Sequence, residues 1–337
     1  MIAYLLRRIG LALLTVWIIS ILAFIIIQLP EGDAATKLIE RMMGNDAESD
    51  YRPEMADELR RYLGLNEPMH VRYFLWIGNM ATGDFGRSFN PGVYVDQGQI
   101  PVSEVIGDRL WTTVALAGFT IIVTWTMAIP IGIYSAVRQH SIGDYVITFI
   151  GFSGLAVPDF LLGLVLMYVA YAYLDQNVGG LFSANYVAAP WSIAKAKDLM
   201  AHLWVPAIVL GTSGTAGLIR VMRNNLLDEL SKPYVSTARV KGVTYWKIVI
   251  KYPVRVAINP LISTVGYLLP TLVSGSVIVS VVLSLPTLGP VLLDAIFMQD
   301  VYLAGLIVLM LGILTIIGTL LSDILLVFVD PRIKLNG

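Results

Sequence analysis

The sequence predicts an all-α integral membrane protein: six transmembrane helices, a helix in one cytoplasmic loop, and a small external region. Three observations predict this. Hydrophobic residues make up 56% of the 337 positions and charged residues only 14%, with a mean hydropathy of +0.73, whereas soluble domains carry about 25% charged residues. Several apolar runs are long enough to cross roughly 30 Å of hydrocarbon. Lysine and arginine gather in one interior loop, the signature of a cytoplasmic connection.

The spans read as Ile9–Leu29, Thr113–Val137, Ile147–Tyr173, Leu203–Ile219, Val256–Leu285 and Leu303–Val329. The first follows Arg7-Arg8 but is too long for a signal-peptide core, so it reads as a retained helix with an orientation signal. The fourth is the weakest, because Gly211, Gly214 and Gly217 dilute its hydropathy. Pro130, Pro260 and Pro270 read as kinks within spans, and Gly275 as a close-packing position.

Orientation follows from the loops. Between Arg220 and Arg255 stand Arg223, Lys232, Arg239, Lys241, Lys247 and Lys251 against only Asp228 and Glu229. This places the loop in the cytoplasm, and an even number of spans then places both termini there too. Residues 31–110 become an external insertion, rich in acid, after an N-terminal helix at 1–30; residues 111–337 form a five-helix core with a cytoplasmic loop at about 226–255. Within the insertion, Met55, Leu59, Tyr62 and Leu63 give Glu54–Leu63 a helical period, with Gly64 at the C-cap. Gly83-Asp84-Phe85-Gly86 and Asn90-Pro91-Gly92 carry turn chemistry.

In the cytoplasmic loop, Leu227, Leu230, Tyr234, Ala238 and Gly242 recur every three or four residues, predicting one apolar face on a helix over 227–242. Gly242 ends it, because glycine enters the left-handed region without a Cβ penalty. A second helical run, Tyr245–Val254, leads back to the membrane. Periodicity alone leaves two readings open: a lever for a motor protein, or a basic helix resting on anionic headgroups.

Other chemistry is sparse. There is no cysteine, hence no disulfide or thiolate site. The sequence contains no H-E-x-x-H, no G-x-S-x-G and no G-x-x-x-x-G-K-[ST], which argues against a zinc hydrolase, a serine hydrolase and an ATPase. His70, His140 and His202 fall in loops or at a span edge on this assignment. A net charge of −1 gives no field for nucleic acid. Asp159, after Pro158 inside the third span, is the candidate for a solute path, since an ionisable group at that depth is costly; Asp323 lies near the cytoplasmic end of the last span. Asp294 and Asp300 lie in the Pro286–Asp300 segment, where solvation accounts for them.

The stretch Tyr234-Val235-Ser236-Thr237-Ala238-Arg239-Val240-Lys241-Gly242 resembles the loop motif of permeases in binding-protein-dependent ABC importers, in the form of the dipeptide, oligopeptide and nickel family. The general motif reads Glu-Ala-Ala, three residues, Gly; here Ser236 and Thr237 stand in place of its glutamate and first alanine, with Ala238 and Gly242 retained. Leu63-Gly64-Leu65-Asn66-Glu67-Pro68, Gly83-Asp84-Phe85-Gly86-Arg87-Ser88-Phe89, Pro101-Val102-Ser103-Glu104-Val105-Ile106 and Asp330-Pro331-Arg332-Ile333 resemble further parts of that family in order. The resemblance is to the member with the large external loop after its first span.

That resemblance implies an inner-membrane subunit with both termini cytoplasmic. Its partners are a second homologous permease, two cytoplasmic ATPases that carry ATP and Mg, and an external solute-binding protein. It implies no cofactor, metal or catalysis in this chain. It makes Tyr234, Ser236, Thr237, Ala238, Arg239, Lys241 and Gly242 the ATPase-coupling residues, with Ala238 small for close packing and Arg239 or Lys241 paired to acids. The solute is a peptide, an oligosaccharide, an opine-like compound or a chelated metal. The rival class is an ion-coupled secondary transporter, which would show inverted repeats and charged midplane sites.

Overall fold

The computed structural model describes residues 2–43, 53–88, 100–176, 178–187, 189–264 and 277–329. Its elements in order are α1 (Ile2–Ile27), α2 (Ala34–Met43), α3 (Pro53–Tyr62), α4 (Met69–Thr82), β1 (Arg87–Ser88), β2 (Ile100–Pro101), α5 (Val102–Val137), α6 (Ile142–Ala156), α7 (Asp159–Leu174), α8 (Ala184–Val187), α9 (Ile193–Leu230), α10 (Pro233–Val240), α11 (Tyr245–Lys251), α12 (Pro253–Ala257), α13 (Val277–Val282), α14 (Leu288–Phe297) and α15 (Val301–Val329). Residues 259–264 are also helical. The all-α expectation holds, with β1 and β2 forming one two-residue antiparallel ladder.

Among the described residues, Arg7–Ile27, α5 and α15 are each long and apolar enough to cross a membrane. α9 qualifies as a pair of helices bent by 51°. The bend falls between Thr212 and Gly214 rather than at Pro206. Gly211 has Thr124 Oγ1 only 3.2 Å from where a Cβ would sit, so the helix turns where α5 presses on it.

The third expected span, Ile147–Tyr173, is not continuous. α6 ends at Val157, extended at φ −87° and ψ 125°, and α7 begins after Pro158. A residue before proline is pushed out of the helical region, and the ring supplies no N–H to continue the ladder. The fifth expected span opens, among the described residues, with α12 and residues 259–264, and Pro260 lies near the start of that helical stretch rather than at a kink inside it. Pro270, Gly275, Asn90-Pro91-Gly92 and residues 330–333 lie outside the described residues.

The chain divides into two compact units. One comprises Ile2–Thr113 and Thr287–Leu314. Here α2 and α3 are joined by Asp33, which accepts from Arg60 Nε at 2.5 Å and from the Thr36 backbone N–H at 2.8 Å. Burial pushes the Asp33 carboxyl up, but the hydrogen bonds from Arg60 and Thr36 outweigh it and hold the group below its usual value. Gly64 closes α3 with φ +66°, as the sequence predicts. α4 lies on α1 through Phe24, Tyr73 and Trp76, and Ser20 Oγ meets Tyr73 Oη at 2.8 Å. Asp300 is not explained by solvation: it is fully buried, accepting from Ser88 Oγ at 2.6 Å and from the Leu303 N–H at 3.1 Å. It ties β1 to the start of α15. His70 lies inside α4 rather than in a loop.

The other unit comprises Val114–Pro286 and Thr315–Gly337. α9 is its spine, packed against α6, α7 and α12. One core at the N-terminal half of α9 gathers Leu203, Val205 and Val209 with Leu116, Ala170 and Leu283. A second, at its C-terminal half, gathers Leu218, Met222 and Leu226 with Ala128 and Ala136 of α5. His202, at the edge of the expected fourth span, is buried inside α9, with its Nδ1 at 2.7 Å from the Asp198 carbonyl.

Candidate coupling site

The loop that carries the basic residues is built onto the second core. Val249 of α11, with Val254 and Ala257 of α12, packs into the cluster of Met222 and Leu226, and all three are at most 8% exposed. Gly132 of α5 faces Met222 so closely that a Cβ there would stand 2.7 Å from the Met222 Cβ. The loop's return arm is thus wedged against two long helices that approach almost backbone to backbone.

The expected single helix over 227–242 is two helices. Leu227 and Leu230 belong to the end of α9; Ser231 and Lys232 form a turn, and α10 starts at Pro233. Lys232 is extended at φ −75° and ψ 150°, as a residue before proline prefers, and Pro233 occupies the first helical position, where its missing N–H costs nothing. Glu229 holds this corner. Its buried carboxylate accepts from Lys232 Nζ at 2.5 Å and from Tyr234 Oη at 2.6 Å. Burial pushes Glu229 up, and those two hydrogen bonds and the Lys232 charge outweigh it, so its pKa is lowered.

The buried anchor of α10 is Val235, 2% exposed, not the row of Tyr234, Ala238 and Gly242 that periodicity selects. Breaking the helix at Pro233 resets its rotation, so the phase set by Leu227 and Leu230 does not carry over. Tyr234 stands at the surface tied to Glu229, and Ala238 is half-buried. Ser236, Thr237, Arg239, Lys241 and Gly242 are exposed, and Val240 is 89% exposed. Arg239 lies over the Tyr245 ring at 5.4 Å, bracing α10 against α11.

Gly242 ends the helix as the sequence predicts. It has φ +75°; its N–H donates to the Arg239 carbonyl at 3.0 Å, and the Val243 N–H reaches back to the Ala238 carbonyl at 3.3 Å. Nothing lies within 4 Å of where its Cβ would be. Backbone conformation, not crowding, is what requires glycine here.

A second feature, which the sequence reading missed, braces the same end of the unit. Arg223 Nη2 donates to Asp144 Oδ2 at 3.1 Å, and Arg223 Nε donates to Ser135 Oγ at 3.0 Å. The Ser135 hydroxyl also donates to Asp144, and the His140 N–H does so at 3.0 Å. Three helices, α5, α6 and α9, are cross-linked by one side chain each. Burial pushes the Asp144 carboxyl up, but hydrogen bonds from Arg223 and Ser135 prevail and lower it to about 2. The one local signal is Ser141-x-x-Asp144: Ser141 caps α6, accepting from the Asp144 N–H at 3.2 Å. A count of loop charges sees Arg223 only as an orientation marker.

Asp159 is not within a continuous span. It is the first residue of α7, half-buried, with the Leu161 and Leu162 N–H groups donating to the Pro158 carbonyl. Ala156, Val157 and Pro158 are exposed around the break. The positive end of the α7 dipole favours a carboxylate at this position. The structure does not bring Asp159 and the α10 residues into one site. No cluster of His, Cys, Asp and Glu that would hold a metal occurs among the described residues.

Comparison with known proteins fits this architecture. Residues 128–335 match the family described as "Binding-protein-dependent transport system inner membrane component", and residues 1–117 match the N-terminal domain of such membrane components. The oligopeptide transport system permease protein AppB of Bacillus subtilis is 36% identical over 334 residues, covering 99% of this chain and all of that protein. The dipeptide transport system permease protein DppB of Escherichia coli K12 is 30% identical with 99% of each chain covered. The DppB of Lactococcus lactis is 27% identical over 336 residues, 99% of this chain and all of that protein. The chain belongs to the multi-pass inner-membrane permease components of binding-protein-dependent ABC importers, alongside the dipeptide and oligopeptide permeases.

Proposed function

We propose that this permease carries peptides, pairs with a second homologous permease, and is driven through α10 by cytoplasmic ATPases that hold the ATP and Mg. The relatives named for dipeptides and oligopeptides support the solute class. The single observation that carries the coupling role is the placement of α10. It is a short, exposed helix, capped by Gly242 and held at Val235, Glu229 and Tyr245, while α11 and α12 are buried in the core of α5 and α9. A push on its outer surface, at residues 236–240, is transmitted to spans rather than absorbed by a hinge.

On this reading Tyr234, Ser236, Thr237, Ala238, Arg239, Lys241 and Gly242 face the partner ATPase, with Arg239 and Lys241 meeting acidic groups. ATP shifts the pore between states only if the ATPase pair contacts α10 differently in each. The termini and α10 lie in the cytoplasm, residues 31–110 outside, and the core from 111 onward crosses the membrane as five spans after the first. Asp159 and the α6–α7 break line the solute path. Non-helical backbone at membrane depth is tolerated only where protein buries it or water reaches it, and the break is exposed on the isolated chain.

The test is a detergent pull-down of the tagged chain with identification of what accompanies it, paired with peptide uptake in vesicles. Recovery of a second permease and ATPases, lost when α10 is disrupted, with ATP-dependent uptake, supports the reading. A chain that purifies alone and transports on an ion gradient without ATP refutes it in favour of a secondary transporter.

A further inference from the structure

Two of the stretches by which the sequence resembles the family's outer region meet in one cavity of about 500 Å3, within the unit formed by Ile2–Thr113 and Thr287–Leu314. Leu65 and Glu67 come from the first stretch, Asp84 and Arg87 from the second. Between them α4 contributes Arg72 and Trp76, one turn apart and therefore on one helix face. The volume falls in the range of small-molecule sites.

Arg72 is the informative residue. It is half-buried, and among the described residues its guanidinium makes no hydrogen bond and no ion pair. Burial pulls its pKa below the ordinary arginine value, against the opposing charge of Asp33. The other arginine at the heart of this unit, Arg60, is fully engaged with Asp33, Asp57 and Thr36. A guanidinium held partly out of water, without an anion, at the wall of a cavity is a fork that matches a carboxylate. Glu67 and Asp84 line the same cavity, both exposed, and supply the opposite charge. Trp76, 2% exposed, forms an apolar wall. One cation, Arg72, set back among apolar groups, with Glu67 and Asp84 at the surface beside the exposed Arg87, is a charge pattern for a zwitterion.

We propose that this cavity binds a short zwitterionic peptide, its carboxylate on Arg72 and its ammonium toward Glu67 and Asp84. It is a docking site for solute at the end of the first span, where Phe24 lines it, and beside the start of α15, separate from the transport path, and it rests on the reading of this permease as a peptide carrier.

The experiment titrates dialanine, its C-terminal amide and its N-acetyl form into the complete chain, assembled in its transporter in nanodiscs, by calorimetry. Dialanine binds, the amide binds about tenfold to a hundredfold more weakly, and Arg72→Gln reduces dialanine to the level of the amide. Arg72→Lys gives an intermediate affinity. Glu67→Gln weakens dialanine but leaves N-acetyl-dialanine unchanged, a readout that does not depend on the Arg72 variants folding. Equal affinities for acid and amide, or dialanine affinity unchanged in Arg72→Gln, overturns the proposal. So does a loss confined to capture of a solute-binding protein, which would assign Arg72 to a protein carboxylate instead. A transporter that imports peptide yet binds no dialanine here refutes the site alone; one that imports no peptide refutes the reading it rests on.

Discussion

Replacing Gly242 separates backbone conformation from partner contact at the end of α10. At φ +75°, an L-residue with a Cβ costs about 1–2 kcal/mol relative to glycine. No steric cost is added, because no atom lies within 4 Å of the would-be Cβ. Asparagine tolerates this region, whereas a β-branched residue is a genuine outlier there. Gly242→Asn is therefore expected to keep most coupling. Gly242→Ala should shift the cap equilibrium by about 5- to 30-fold, and Gly242→Val should lose more. The assay is ATP-driven peptide uptake in proteoliposomes, with solute-stimulated ATP hydrolysis measured in parallel and assembly checked by size-exclusion. Uptake falling in the order Asn, Ala, Val, while basal hydrolysis persists, fits a cap that aims α10 at the motor. Normal coupling in Gly242→Val refutes the requirement for a left-handed cap. Equal loss in Asn and Val variants would mean that a partner fills the space beside Gly242, and that crowding governs the position.

Arg223→Gln leaves the buried Asp144 charge without its partner and should cost about 3–5 kcal/mol, read as a lower thermal midpoint in detergent; Asp144→Asn leaves only the half-buried Arg223 and should cost less, and the double variant should recover part of the Arg223→Gln loss. Because Asp144 is lowered to about 2 when folded, its stabilisation is complete above the ordinary carboxylate range and is lost as pH falls from about 4 toward 2; Asp144→Asn should flatten that acid limb. Val235→Ser removes the buried anchor of α10 and should cost about 1.5–3 kcal/mol of local stability, seen as faster amide exchange over 233–240. Val240→Ala, by contrast, should leave exchange unchanged and weaken ATPase capture. Asp159→Asn should change the uptake KM without loss of the assembled complex; unchanged kinetics would make Asp159 a helix-terminus charge and nothing more.

The solvent, the helical class and the end of the loop helix are legible in the residues alone. Long apolar runs need only local backbone satisfaction to become helices, so α1, α5 and α15 can be read from composition. Gly242 and Gly64 are legible for the same reason: a left-handed cap is a property of one residue. Which face each element uses is a matter of packing. Pro158 and Pro233 each break an apparently periodic run, and a break resets the rotation of the next helix. Val235 rather than Tyr234 is therefore the anchor, and Asp159 is a first-turn residue. Asp300 reads as a solvated loop acid in the sequence, and Asp144 carries no sign of burial there, because their partners, Ser88 and Arg223, stand 212 and 79 positions away. Period and propensity report on neighbours within a few residues; only packing brings such distant partners to a buried carboxylate.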